Sequence, residues 1–172
     1  MMTDVLYSPW RLKYILSAKK DECIFCLRPE KKDDEKQFIL FRSDHSFVIL
    51  NMFPYNNGHI MVVPFKHVAS LSDLNKMEIN DLFDTVRKCE IVMKKTYRPD
   101  GLNIGMNLGR DAGAGIDQHL HIHIIPRWQG DVNFMTSING TRIIPESFDE
   151  VYCKLKEQFD MLTDGKQFVR SK

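Results

Sequence analysis

Three of the chain's six histidines stand at positions 119, 121 and 123, alternating with Leu120, Ile122 and Ile124. Side chains on an extended strand point alternately to opposite faces. The spacing therefore predicts a row of imidazoles about 7 Å apart on one surface and an aliphatic row entering the core on the other. One histidine on a strand face is usually a satisfied polar residue, but three in register form a rigid row of groups that titrate near neutrality. Such a row suits metal binding or phosphoryl chemistry, and Arg127, just past Pro126, adds a permanent cation suited to phosphate oxygens. A second constellation is Cys23-Ile24-Phe25-Cys26. A C-x-x-C pair is half of a zinc site, a redox pair in a thioredoxin-like βαβ setting, or two buried thiols, and the βαβ setting is absent. Cys89 and Cys153 stand alone in helical patterns and read as packing residues.

The elements that must position these groups follow from periodicity. Residues 38–41 and 47–50 are apolar runs flanking a polar turn at 42–45, which predicts a hairpin. The turn formers of 54–58 lead to a third strand, 59–63, ended by Pro64. Asn75 with Glu78 has capping-box character, and apolar residues at 79, 82, 83, 86, 93 and 97 predict one long amphipathic helix stopped by Pro99. Leu102, Ile104 and Met106 alternate with polar or small residues and predict a strand with one face on the core. A glycine-rich loop, 109–117, then leads into the histidine strand, 119–125. Phe148, Val151, Tyr152, Leu155 and Phe159 predict a second, C-terminal helix. The sum is an α+β domain: an antiparallel sheet of about five strands with one long and one C-terminal helix.

At 172 residues the chain suits a single domain, 1–172, with an N-terminal segment 1–36, a core 37–135 and a C-terminal extension 136–172. The run KKDDEK at 31–36 reads as a solvated loop, and His45 as an exposed turn residue. Lys and Arg number 24 against 23 Asp and Glu, too even a balance for a protein that grips long nucleic acid. Residues 1–15 lack the apolar core of a secretory signal, and no apolar run approaches the ~20 residues of a membrane span. These features predict a cytoplasmic protein with a small-molecule partner.

The run 119–125 matches the H-x-H-x-H-hydrophobic-hydrophobic signature of the histidine triad superfamily, and 58–64 followed by His67 matches its G-H-x-x-V-x-P-x-x-H element. Asn107 to Gly115 and Pro126 to Phe134 resemble the branch that cleaves diadenosine polyphosphates. The resemblance covers roughly residues 9–135 and implies the histidine triad fold.

It also implies roles. His121, the middle histidine, would be the nucleophile that attacks the α-phosphorus and forms a nucleotidyl-histidine, with His123 and His59 binding phosphate and balancing charge. Asn51 would contact the ribose, and Ile49 and Met61 would wall the base pocket or simply pack in the core. Asn107, Gly109, Gly115 and Arg127 would face the phosphates, although no glutamine stands where relatives keep one. Cys23, Cys26, His67 and His119 would complete a structural Cys2His2 zinc site. A divalent cation with the substrate phosphates is a further expectation, as is a homodimer joined through the long helix and an adjoining strand. The implied activity is cleavage of dinucleoside polyphosphates such as diadenosine tetraphosphate, by hydrolysis or phosphorolysis. Alternatives are a nucleoside phosphoramidase and a nucleotide-binding sensor without turnover.

Overall fold

The computed structural model describes residues 23–131 and 144–163. The expectations for residues 1–15 and for the end of the 126–134 motif lie wholly or partly outside them. Five strands form one antiparallel sheet: β1 (Ile39–Arg42), β2 (Ser46–Leu50), β3 (Ile60–Pro64), β4 (Gly101–Gly105) and β5 (Ile122–Arg127), in the order β1-β2-β3-β5-β4. Among the described residues four α-helices accompany it: α1 (Ile24–Glu30), α2 (Asp34–Gln37), α3 (Lys76–Tyr97) and α4 (Phe148–Thr163). Among the described residues no helix is long and apolar enough to cross a membrane.

The strand pleat divides the interior into two cores. Val48, Leu50, Ile60, Val62, Ile122 and Ile124 pack on one face against Leu82, Cys89, Val92 and Met93 of α3 and Leu155 and Phe159 of α4. On the other face Ile39, Phe47, Ile49, Met61 and Val63 pack with Phe25 of α1. Both faces of β2 and β3 are therefore dry, as their continuous apolar sequences require. The capping box is present at α3: the Asn75 side chain accepts from the Glu78 backbone, and the Glu78 side chain accepts from the Asn75 backbone. Such caps contribute about 1 kcal/mol each.

Three expectations are corrected. The charged run at 31–36 is not all loop: Asp33 caps the short helix α2, and Asp34 pairs with Arg42. The histidine strand begins at Ile122 rather than residue 119. Its partner β3 ends at Pro64, which has no N–H to extend the ladder, and Leu120 donates instead to the Val68 carbonyl at 2.6 Å. β4 lays only part of its face on the core: Leu102, and Met106 just beyond the strand, pack against it, half-buried. α3 covers β2, β3 and β5 but stops short of this edge strand, and Ile104 stays 45% exposed.

Candidate active site

Because Leu120, Ile122 and Ile124 enter the helix-side core, His121 and His123 must point to the other face. The register then builds a row: Ile49 lies opposite Met61, and Met61 opposite His123. His59, two residues before Met61, has the same parity and joins it. A cavity of about 350 Å³ opens on this row between Ile49, Asn51, Met61, His121 and His123, with Gly115 and Ile116 of the glycine-rich loop on one side. That volume suits a small organic ligand of nucleoside size. Its remaining walls are Ile24, Phe25 and Arg28 of α1 and Met52, Phe53 and Tyr55 of the β2–β3 connection.

Backbone partners assign the imidazole protons. His121 Nδ1 lies 2.9 Å from the His119 carbonyl, which can only accept, so Nδ1 carries the proton and Nε2 keeps its lone pair. His59 Nδ1 accepts from the Tyr55 N–H at 3.0 Å, which leaves its Nε2 to donate to His123 Nδ1 at 2.9 Å. The proton of His123 is thereby left on Nε2. The result is one ring with a free basic nitrogen beside another with a free N–H, their centroids 4.8 Å apart.

Electrostatics keep this relay neutral. Burial, reinforced by the neighbouring His123 and His121, lowers His59 to about 3, and burial together with His121 lowers His123 to about 4. Two adjoining imidazoles that resist protonation hold no counterion of their own. The one free N–H that the pair presents, on His123 Nε2, suits an anion.

Behind His121 lies a separate cluster. Cys23 Sγ is 3.2 Å from His119 Nδ1, Cys26 Sγ is 3.3 Å from His67 Nδ1, and the two Nδ1 atoms are 3.2 Å apart. All four donors lie within 4.8 Å of one another. A tetrahedral ion with bonds of ~2.3 Å to sulfur and ~2.0 Å to nitrogen holds its donors about 3.3–3.8 Å apart, so the set fits one. His119 Nε2 donates to the Pro64 carbonyl at 2.9 Å, which aims its Nδ1 lone pair at the cluster. Burial and the adjacent Cys23 push the Cys26 thiol up to about 11 when no cation balances it.

A relay of oriented histidines beside a nucleoside-sized cavity has counterparts. The HIT domain family matches residues 32–130. The chain belongs to this family. It is 39% identical over 150 residues to the AP-4-A phosphorylase of Mycobacterium tuberculosis, covering 82% of this chain and 76% of that protein. It is also 39% identical over 93 residues to the asymmetrical bis(5'-nucleosyl)-tetraphosphatase of Schizosaccharomyces pombe, covering 54% of this chain and 50% of that protein. A hypothetical histidine triad nucleotide-binding protein from Sulfolobus tokodaii superposes with a TM-score of 0.67 at 26% identity, covering 82% of this chain and 94% of that one.

On this HIT scaffold the residues named from sequence divide. His59, His121, His123, Asn51, Ile49, Met61 and Gly115 meet at or beside the cavity. Ile49 and Met61 both pack in the second core and line the cavity, so the two readings of them coexist. The Asn51 amide nitrogen lies 3.2 Å from His59 Nδ1, and its oxygen accepts from the Phe53 N–H. Asn107 and Gly109 do not line the cavity, nor does Arg127. Arg127 sits four residues beyond His123, about 13 Å along a strand, and is bound to Asp131 and Asn103. Sequence reasoning missed the α1 wall. Its signal was Ile24 and Phe25, enclosed between two cysteines that the cluster pins against His119.

Proposed function

We propose that this HIT protein cleaves dinucleoside polyphosphates such as diadenosine tetraphosphate through a nucleotide bound covalently to His121. The observation that carries the reading is the His121 ring: Nδ1 tied to the His119 carbonyl, Nε2 unshared, at the wall of a nucleoside-sized cavity. One nucleoside would sit between Ile49, Met61 and Phe25 with its ribose near Asn51. Nε2 attacks the α-phosphorus, the bond to the bridging oxygen breaks, and the remaining nucleotide departs. His123 Nε2–H stands ready for an oxygen of the phosphate chain, backed by His59, and Asn107, Gly109 and Arg127 would meet that chain only beyond the cavity, where a divalent cation would also bind. Water or phosphate then breaks the phosphorus–nitrogen bond and restores the lone pair. The likeness to the phosphorylase, over 82% of the chain against 54% for the tetraphosphatase, favours phosphate as acceptor.

Zinc is the cation we assign to Cys23, Cys26, His67 and His119. With four protein donors it has no open position, so it would hold structure. Unpaired thiols in that role suit a reducing, cytoplasmic compartment.

The test supplies diadenosine tetraphosphate with and without phosphate. Nucleoside diphosphate appearing only with phosphate identifies a phosphorylase, whereas equal turnover in water alone identifies a hydrolase. His121→Asn keeps the size of the side chain but removes the nucleophilic nitrogen, so turnover should drop by orders of magnitude while nucleotide binding persists. Substantial activity in that variant, or labelled nucleotide trapped on another residue, would refute the assignment.

A further inference from the structure

In-line displacement sends the leaving nucleotide to the side of the phosphorus away from His121. The cavity holds one nucleoside, so the second must lie at its rim. That rim carries two large aromatic side chains kept half in water, Phe53 at 38% and Tyr55 at 48% exposure. Both line the cavity mouth from the β2–β3 connection. The Tyr55 ring stands beside the relay, 4.7 Å from the His59 ring and 5.6 Å from that of His123.

Resting on the reading of the site given above, we propose that Phe53 and Tyr55 form a stacking platform for the second nucleobase of a dinucleoside polyphosphate. The backbone that carries them is already fixed. Phe53 N–H donates to Asn51 Oδ1 at 2.9 Å and Tyr55 N–H to His59 Nδ1 at 3.0 Å, so little ordering accompanies binding. Stacking uses the face of a base rather than its edge, which every base offers. The platform therefore distinguishes a dinucleotide from a mononucleotide while tolerating a change of base at the second position. It also places the leaving nucleoside over the same connection that orients His59, next to the N–H that meets the phosphate chain.

Diadenosine tetraphosphate and adenosine tetraphosphate share one nucleoside and the phosphate chain and differ by the second nucleoside. In the full-length protein, Phe53→Ala with Tyr55→Leu should lower kcat/KM for the dinucleotide about tenfold more than for the mononucleotide, with the difference in KM. Equal losses on both substrates, or no loss on either, overturn the platform. Phe53→Trp gives a reading that does not depend on removing a ring: its fluorescence should be quenched more deeply by the dinucleotide than by the mononucleotide, and equal quenching overturns the proposal. Unaltered protein that releases nucleotide from neither substrate would refute the cleavage reading itself, while the tryptophan signal would still decide the platform.

Discussion

The His59–His123 pair couples stability to pH through burial. Both rings are held neutral well below the ordinary histidine value of 6.5, at about 3 and about 4, chiefly by desolvation. Between those values and about 6.5 the unfolded chain binds more protons than the folded one, so stability rises with pH there. It is complete above 6.5 and is lost as pH falls towards 4. For the deeply buried His59, moving from pH 6.5 to pH 5 should cost about 2 kcal/mol, at ~1.4 kcal/mol per unit. The half-buried His123 adds less. Urea titrations at the two pH values should show the loss, and His59→Asn should reduce it; an unchanged slope would show that the rings are not desolvated in solution. A phosphate ligand, by contrast, favours protonated rings, so added nucleotide should protect the protein most at the acid end.

At the level of elements, two local devices hold the site, and each can be removed by itself. The first is α1, which reaches the cavity because Cys23 and Cys26 meet His67 and His119. Phe25 bridges the two jobs, its ring 5.5 Å from His119 and 5.2 Å from His121. Cys23→Ser with Cys26→Ser should abolish bound zinc, lower the Tm and weaken nucleotide affinity about tenfold, the scale of losing one buried aromatic wall. Metal analysis and a nucleotide titration check this, and full zinc content in the double variant would remove the site. The second device is the turn before His59. Gly58 has a positive φ of 72°, and a Cβ there would come within 2.9 Å of the Tyr97 ring. Tyr97 donates to Glu146 at 3.0 Å, so the end of α3 and the segment before α4 brace this turn together. Gly58→Ala should cost about 1–2 kcal/mol from the backbone alone and lower kcat by displacing His59. Thermal melts and steady-state kinetics report the two effects separately.

For the whole molecule, assembly turns on β4. It is an edge strand whose outer backbone has no partner among the described residues, with Ile104 exposed at 45%. An uncovered apolar edge is normally paired or protected. Two copies joined edge to edge would form one continuous sheet with two-fold symmetry. Light scattering should give twice the chain mass, and Ile104→Lys should shift it towards monomer; a monomeric mass for the unaltered chain would exclude the dimer.

Local chemistry made much of this molecule legible from the amino-acid order. Alternation through 119–125 announced which face of β5 bears the histidines, and Asn75, Glu78 and Pro99 bracketed the long helix, because parity and capping act within a few residues. The start of β5 was not legible, since it depends on Pro64 of a different strand failing to donate. Neither was the exposure of β4: whether an apolar alternation is covered depends on how far a distant helix reaches. The α1 wall, the Tyr97 brace beneath Gly58 and the capture of Arg127 by Asp131 and Asn103 are likewise products of tertiary structure. Sequence determined which groups are capable of chemistry and the local parity that aims them. Only the packed chain decided which of those groups share a cavity, because proximity between residues 49, 61, 121 and 123 is created by strand register and not by spacing.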